Sequence, residues 1–446
     1  MFGTGRIMKR VLWVCNIMPP AIGEVLKEEC SVKEGWISGI LEKIIEKEEQ
    51  LELGICYPVV RPADKEGRKI TLKSQASGKE KQVICYEFEE NTAKPEEYEG
   101  KPLEERMEEI INSFSPDMLH IFGTEYGHAL AAVKSFFPKE KILVGLQGMV
   151  GECAKEYMAD LSPNIQRRKT FRDVIKRDTM PLQQKKFQIR AKREEQILNL
   201  AGCVTGRTLF DDETSKKINP KLIYYKMNET MRKEFYEGQW SLEHCNFHQI
   251  FFSQADYPLK GFHHMIKAAG KLKKEYPDIK IYVAGNGIMG YSSLKEKIKI
   301  SAYGKYLREL IKQEGMEEKI IFMGKLSAEE MKKQYLLSHC YVCASSIENS
   351  PNSLAEAMLL GVPVIAPNTG GIPSVMEGEK EGLLFQKNNW KDLAASLERI
   401  WKDDNLVNNI SREGRKRAGE LYNPETNYNR LLEIYNKMTE GCPTKQ

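Results

Sequence analysis

The sequence predicts an α/β protein with two doubly wound parallel sheets, and three observations lead to this prediction. Short apolar runs of strand length alternate with helical segments, which is the pattern of parallel strands joined by crossover helices. The 446 residues exceed the size of one ordinary core, so two large domains fit best. Most of the strand-like runs end in loops rich in glycine and polar residues, where open parallel sheets bind their ligands.

Composition and charge exclude several classes of protein. With 41% hydrophobic and 29% charged residues the chain resembles a soluble globular protein, and a net charge of +4 gives no general affinity for nucleic acid. The apolar run Val11–Cys15 is too short for a signal peptide, and no apolar run approaches the roughly 20 residues of a spanning helix. The one CxxC pair, Cys340 and Cys343, lies inside an apolar strand, which favours buried thiols over a metal site. We therefore expect a cytoplasmic protein without a metal site.

The first predicted domain begins with a strand, a loop and a helix. Arg10–Ile17 is the strand, and Gly35 stands just before the helix Trp36–Glu46. A glycine at that position permits close approach of the backbone to a ligand, although helix capping explains it equally well. Asp64–Gln82 is mostly polar and is predicted to be a hairpin end or a surface loop.

Two later strands of this domain end in polar residues. The strand Asp117–Phe122 is followed by Glu125 and His128, which are candidates for the acceptor side of a cleft. His120 lies within the strand and is interpreted as a core residue. The next strand ends at Gln147, which is a third acceptor-side candidate.

Residues 162–193 form a strongly basic segment, with eleven Lys or Arg against two Asp. Ile165, Phe171, Val174 and Ile175 are spaced for one face of a helix. A basic amphipathic stretch suits an anionic membrane surface or a lipid diphosphate, and a solvated basic helix is the alternative.

The second predicted domain opens near residue 249 with a strand, a loop and a helix that starts at Lys260. Further on, residues 285–290 match the dinucleotide pattern GxGxxG. Such a fingerprint also needs an acidic residue at the end of the next strand, but that strand ends at Gly324-Lys325. A nicotinamide or flavin cofactor is therefore not expected, and Gly285 stays a candidate for a turn over a nucleotide.

The stretch Tyr341–Val375 is predicted to be a strand, a loop, a short helix, a second strand and a glycine loop. Ser350 is positioned to cap the helix, Pro351 to occupy its first position, and Gly361 to end it. The free amides of the first helical turn and the helix dipole together form an anion site, for which phosphate is the natural ligand. The predicted amides are those of Asn352, Ser353 and Leu354.

Two carboxylates flank this predicted phosphate site. Glu348 and Glu356 have seven residues between them, and carboxylates beside a phosphate repel it unless they bind something else. An ionised carboxylate accepts hydrogen bonds from hydroxyl groups such as those of a ribose. This combination indicates a nucleotide sugar, with a capped surface helix as the alternative.

This stretch resembles the donor motif of retaining glycosyltransferases of family 4, which have the GT-B fold of two Rossmann-like domains facing an interdomain cleft. The resemblance rests on Glu348 and Glu356 with seven residues between them, followed by Gly361-Val362-Pro363-Val364 and Gly370-Gly371-Ile372-Pro373. Ser374 departs from the family, which usually has a glutamate there, and we assign it no role. The similarity covers the second domain well and the first weakly.

The resemblance implies roles for individual residues. Glu356 would hold the ribose hydroxyls, Glu348 the transferred sugar, and Lys260 the diphosphate. The arginine that usually accompanies the lysine is replaced by Ser253-Gln254, so Arg207 is the candidate for the missing cation. Gly35 would face the donor phosphates, and His128 would substitute for a catalytic histidine that the family carries where this chain has Phe122.

We therefore expect a metal-independent retaining glycosyltransferase of polysaccharide or glycolipid assembly that needs no cofactor. Its partners would be a nucleotide diphosphate sugar, a sugar or lipid-linked sugar acceptor, and an anionic membrane surface contacted peripherally through residues 162–193. The acceptor-side domain would span residues 1–240, the donor domain residues 241–424, and a last helix near 425–446 would return to the first domain. A nucleotide-sugar epimerase and a noncatalytic nucleotide-sugar binding module are the alternatives.

Overall fold

The computed structural model describes residues 8–28, 35–62, 66–287 and 299–440, which form two compact units. Unit 1 contains the described residues up to 151, residues 189–232 and those from 422 onward, and unit 2 contains residues 152–188 and 233–421. This division differs from the sequence prediction, which placed residues 152–188 and 233–240 in the first domain. The last helix falls in unit 1.

Unit 1 is built on an eight-stranded sheet whose strand order is β3-β4-β2-β1-β5-β6-β7-β8. All pairs are parallel except β3 with β4. The side chains of β1 alternate between the two faces, so Val11 and Trp13 enter one apolar cluster while Leu12 and Val14 enter the other. The strands are β1 Lys9–Val14, β2 Leu51–Val59, β3 Arg68–Lys73, β4 Glu80–Glu89, β5 Met118–Phe122, β6 Ile142–Gly145, β7 Cys203–Gly206 and β8 Ile223–Lys226.

Unit 2 is built on a six-stranded, entirely parallel sheet in the order β11-β10-β9-β12-β13-β14. Numbered within the sheet this order is 3-2-1-4-5-6, which is the doubly wound arrangement of dinucleotide-binding folds. The strands are β9 Asn246–Phe252, β10 Lys280–Ala284, β11 Ile320–Gly324, β12 Ser338–Val342, β13 Val364–Pro367 and β14 Leu383–Phe385. The two sheets confirm the predicted α/β class.

Helices connect nearly all of the parallel strands, and three short 3-10 turns occur at Lys139–Lys141, Lys233–Tyr236 and Pro258–Lys260. The boundary between units at residues 188 and 189 falls inside the longest helix, α8. The helices are α1 Pro20–Leu26, α2 Gly35–Lys47, α3 Lys101–Phe114, α4 Gly127–Ser135, α5 Val150–Glu156, α6 Pro163–Gln166, α7 Phe171–Ile175, α8 Met180–Leu200, α9 Leu209–Ile218, α10 Phe262–Leu272, α11 Ala302–Gln313, α12 Ala328–Leu337, α13 Asn352–Leu359, α14 Ile372–Val375, α15 Trp390–Lys402, α16 Asp404–Leu421 and α17 Pro424–Thr439.

Two segments bear on their sequence predictions. Asp64–Gln82 was predicted to be a hairpin end or a surface loop, and the hairpin is confirmed, because β3 and the start of β4 pair antiparallel there. Polar side chains obscured β3 because this strand is buried only at Ile70 and Leu72. The basic segment is not one amphipathic helix, because α6, α7 and the start of α8 divide it.

Candidate functional site

The candidate site lies at the carboxyl edge of the sheet in unit 2. β9 and β12 are neighbours in that sheet, although β10 and β11 lie between them in the sequence. Their connections therefore run toward opposite edges of the sheet and leave a crevice at the strand ends, where such folds bind ligands. The chain after β9 leads to Lys260, and the loop after β12 carries Glu348.

Lys260 and Glu348 form an ion pair in this crevice. The Lys260 ammonium donates to Glu348 Oε1 at 2.6 Å, and the Ser345 hydroxyl donates to the same oxygen at 2.6 Å. The two charged side chains are 19% and 14% exposed. Burial alone would lower the pKa of Lys260, but the charge and hydrogen bond of Glu348 raise this pKa well above its ordinary value. Lys260 is therefore cationic at neutral pH, and Glu348 occupies only one of its three N–H donors.

Two glycines fix the loops that carry this pair. Gly261 adopts φ = +69°, and a Cβ there would collide with the carbonyl oxygen of Ala344 in the loop after β12. Gly370 adopts φ = +54°, and a Cβ there would collide with the carbonyl oxygen of Glu348. That carbonyl also accepts the Gly371 N–H at 2.9 Å. Both close approaches require glycine, which explains the Lys-Gly and Gly-Gly elements of the sequence motif.

The N-terminus of α13 opens beside the same loop. Pro351 is the N-cap and no side chain caps the helix, so the predicted Ser350 cap is wrong. The Leu354 N–H bonds to the Pro351 carbonyl at 3.0 Å. The predicted set of three free amides is therefore reduced to Asn352 and Ser353, for which the described part of the chain supplies no acceptor.

Tyrosine hydroxyls hold this first helical turn in place. The Tyr341 hydroxyl donates to Ser353 Oγ at 2.7 Å and lies 2.9 Å from Ser253 Oγ, which follows β9. The Tyr335 hydroxyl donates to the Ser353 carbonyl at 2.9 Å and lies 3.4 Å from Glu356 Oε2. Glu356 is only 4% exposed, so its carboxylate is held within the unit beneath the helix start.

The glycines predicted to contact the donor lie in two different units. Gly285 follows β10 in unit 2 with φ = +106°, and the next residue, Asn286, donates to Asp256 Oδ2 at 2.5 Å. The remainder of the GxGxxG match, residues 288–290, lies outside the described residues. Gly35 is the first residue of α2 in unit 1 rather than a residue before the helix, and residues 29–34 of the loop preceding it also lie outside the described residues.

His128 and Glu125 belong to a buried polar network in unit 1. His128 is fully buried, with Nδ1 2.5 Å from Glu90 Oε2 and Nε2 3.1 Å from Asn16 Oδ1. Both ring nitrogens thus have partners within unit 1, which does not support the predicted catalytic role. The backbone carbonyl of Glu125 accepts from Arg193 at 2.7 Å.

Arg207 and Gln147 line a small pocket in unit 1, with room for about one water molecule, at the carboxyl ends of β5, β6 and β7. Arg207 Nη1 pairs with Glu229 Oε2 at 2.6 Å, and its Nη2 donates to the Gln147 carbonyl at 2.6 Å. The charge of Arg207 is thus balanced within unit 1, which does not support its predicted role as the missing phosphate cation. The sequence interpretation missed Glu229. His120 is buried, as predicted, and it also lines this pocket.

The basic segment exposes apolar side chains. Phe171, Val174 and Ile175 on α7 are 69%, 59% and 65% exposed, and a capping box between Thr170 and Asp173 starts this short helix. No helix among the described residues combines the length and the apolar character needed to cross a bilayer. Within the same residues, no cluster of three or more His, Cys, Asp or Glu side chains is arranged around a point that a metal ion could occupy.

Comparison with known proteins agrees with this geometry. Residues 243–417 match the family model for glycosyl transferases group 1. Bacillus subtilis YtcC is 28% identical over 42% of this chain and 44% of its own length. The D-inositol 3-phosphate glycosyltransferase of Corynebacterium urealyticum is 27% identical over 40% and 41%, respectively. The alignments thus span less than half the length of these relatives. The predicted resemblance to retaining glycosyltransferases of family 4 is thus confirmed at the coarser level of the group 1 glycosyltransferases, over residues 243–417.

Solved structures extend the likeness to the fold of the whole chain. Sucrose-phosphate synthase from Thermosynechococcus elongatus superposes with a TM-score of 0.67, at 14% identity over 97% of this chain and 99% of its own. An Anabaena protein solved with UDP and glucose gives a TM-score of 0.62, at 14% identity over 96% and 99%. These neighbours confirm the predicted GT-B fold class.

Proposed function

We propose that this protein is a metal-independent retaining glycosyltransferase that moves a sugar from a nucleotide diphosphate sugar to an acceptor hydroxyl, in the assembly of a polysaccharide or glycolipid. The observation that carries the proposal is the meeting of Lys260, Glu348 and the first turn of α13 at the crevice of the unit 2 sheet. The family match over residues 243–417 and the UDP and glucose of the Anabaena neighbour support it.

The proposed mechanism places positive charge where the diphosphate departs. Breaking the bond between the sugar and the diphosphate leaves negative charge on the leaving oxygen. Lys260 has N–H donors beyond the one that Glu348 engages, and the amides of Asn352 and Ser353 add the positive end of the α13 dipole. These groups are positioned before the reaction, so they stabilise the growing charge without reorganisation.

The two carboxylates would act on hydroxyl groups and on the sugar. Glu356 would bind the ribose, with Tyr335 orienting its carboxylate. Glu348 would face the transferred sugar, with Oε1 held by Lys260 and Ser345 and its second oxygen left to accept a hydroxyl. The same carboxylate would stabilise positive charge at the anomeric carbon.

The acceptor would bind through unit 1, and α7 would attach the protein peripherally to the cytoplasmic face of an anionic membrane. Phe171, Val174 and Ile175 supply apolar contact, and the charge excess of residues 162–193 is complementary to acidic lipid. Arg167, Lys169, Lys176 and Arg177 are exposed around the apolar side chains.

A donor screen followed by a transfer assay tests the proposal. Thermal shifts with UDP, GDP and ADP sugars identify the donor, because a ligand that binds the native state raises its apparent stability. That donor is then supplied with and without sugar and lipid-linked acceptors, and nuclear magnetic resonance reads the anomeric configuration of the product. Transfer with retention supports the proposal. Conversion of the donor alone supports the epimerase, and a thermal shift without turnover supports the binding module.

A further inference from the structure

Three hydroxyl groups form a chain of hydrogen bonds in unit 2 that ends at the first turn of α13. Tyr341 lies on β12, and its hydroxyl donates to Ser353 Oγ at 2.7 Å. The same Tyr341 oxygen lies 2.9 Å from Oγ of Ser253, the residue directly after β9. We refer to Ser253, Tyr341 and Ser353 as the hydroxyl relay.

The hydroxyl relay has one direction. Tyr341 is 1% exposed, and burial raises the pKa of its hydroxyl above the ordinary value, so the group keeps its hydrogen at physiological pH. A tyrosine hydroxyl has a single hydrogen, and Tyr341 commits it to Ser353. Ser253 is therefore the donor in its contact with Tyr341, because the Tyr341 oxygen has only acceptor sites left.

The last hydroxyl of the relay keeps a hydrogen to donate. Ser353 Oγ spends an acceptor site on Tyr341, and the part of the chain that the structure describes shows no acceptor for its own hydrogen. The N–H of the same residue also lacks an acceptor within those residues. Ser353 is partly exposed at the start of a helix, so a ligand can reach both donors.

These two donors favour an anion that only accepts hydrogen bonds. They lie at the positive end of the α13 dipole, and an ionised phosphate oxygen accepts without donating, which matches the fixed direction of the relay. The pKa of Tyr341 is raised chiefly by burial and further by the negative charge of Glu348. The relay therefore lies within electrostatic reach of the ion pair between Glu348 and Lys260, whose ammonium has further N–H donors to offer.

We propose that Ser353 binds the diphosphate of the donor with its side-chain hydroxyl as well as its amide, and that Tyr341 and Ser253 are positioning residues that hold this hydroxyl in the donating direction. The inference rests on the proposed function and deepens it. It gives the diphosphate a side-chain donor in a chain where Ser253-Gln254 replaces the arginine of the related motif. The hydroxyl stabilises phosphate charge through a hydrogen bond, and no proton leaves the relay.

The first test measures binding of inorganic pyrophosphate to the full-length protein in EDTA by isothermal titration calorimetry. Ser353→Ala removes the hydroxyl but keeps the amide, and it is expected to weaken binding roughly tenfold, the effect of losing one hydrogen bond to a charged group. Ser353→Thr keeps a hydroxyl and is expected to stay within about threefold of the unchanged protein. Ser396→Ala is the matched control, because its hydroxyl donates to the Asp392 carbonyl within α15.

The second test asks whether Tyr341 acts through Ser353. Tyr341→Phe leaves the Ser353 hydroxyl without the partner that orients it, and is expected to weaken pyrophosphate binding about threefold. In the Ser353→Ala background the same substitution should have no further effect, since the two residues act as one unit. A purely structural role of Tyr341 would give equal losses in both backgrounds, and that result would overturn the relay.

Unchanged affinity in a folded Ser353→Ala variant, or an unchanged protein that binds no pyrophosphate, would overturn the inference. Because these measurements need neither a nucleotide nor turnover, their failure leaves the proposed transferase activity standing. Conversely, a protein that shows the expected affinities but transfers no sugar would refute the proposed function and leave the hydroxyl relay in place.

Discussion

Replacing Lys260 by alanine is expected to lower turnover on the order of 100- to 1,000-fold. The side chain supplies preorganised N–H donors beside the first turn of α13, and loss of one such group costs roughly 2.7 to 4 kcal/mol in the transition state. The substitution also leaves Glu348 without its cation. Because Glu348 is 14% exposed, the loss of stability should stay below the roughly 3 to 5 kcal/mol that breaking a fully buried pair costs.

Whereas Lys260→Ala is expected to affect turnover, Glu356→Gln is expected to affect donor binding. It keeps the shape of the side chain but loses charge-assisted hydrogen bonds to the ribose, so donor affinity should weaken by roughly 1.5 to 3 kcal/mol, about tenfold or more. Loss of these hydrogen bonds should destabilise the bound donor and the transition state by similar amounts. Turnover at saturating donor should therefore fall far less than in Lys260→Ala.

Steady-state kinetics together with calorimetric titration of the donor separates the two effects. Lys271→Ala is the matched control for Lys260→Ala, because this exposed lysine near the end of α10 gives the same change in net charge away from the crevice. Circular dichroism confirms that each variant is folded. If Lys260→Ala and Glu356→Gln both leave turnover and donor affinity unchanged, the assignment of phosphate and ribose sites to this crevice is refuted.

Three further predictions follow from other features of the chain. Turnover should survive EDTA, because Lys260 and a helix terminus would stabilise the leaving group in place of a metal; complete loss of turnover that manganese or magnesium restores would contradict this. Phe171→Ser should weaken co-sedimentation with anionic vesicles severalfold. Leu209→Ser is the control, because Leu209 is equally exposed at 69%, and this variant should bind normally. Equal binding of the protein to neutral and anionic vesicles at all salt concentrations would exclude the membrane role. Gly261→Ala should lower the melting temperature by roughly 4 to 8 °C, since a strained left-handed residue and a collision with a backbone carbonyl together cost about 2 kcal/mol. Gly419→Ala is the control, because a Cβ at Gly419 would meet no atom within 4 Å. Equal melting temperatures for the two variants would disprove the close approach at Gly261.

The sequence predicted the fold class and the local order of the motif because these depend on short-range patterns. Strand-length apolar runs, the helix formers after Pro351 and the glycines at 261 and 370 each have a local physical reason. Contacts between distant segments were not predictable in the same way. The burial of His128 depends on Glu90, which is 38 residues away, and the pairing of Arg207 depends on Glu229. A polar residue after a strand thus indicated the neighbourhood of a site but not which side chains are free to act there.

The hydrogen bond between Trp13 and Tyr435 joins residues 422 positions apart, and it has a consequence for biosynthesis. Leu431, Ile434 and Met438 of α17 enter the same apolar cluster as the first strand of unit 1. The amino-terminal part of the chain therefore lacks one wall of its core until the ribosome has translated residues 233–421, which takes roughly 10 to 40 s at typical rates. The segment that is translated first therefore cannot complete its core first. Removing the chain from residue 422 onward would therefore damage unit 1, which contains β1, although it would remove no residue of unit 2.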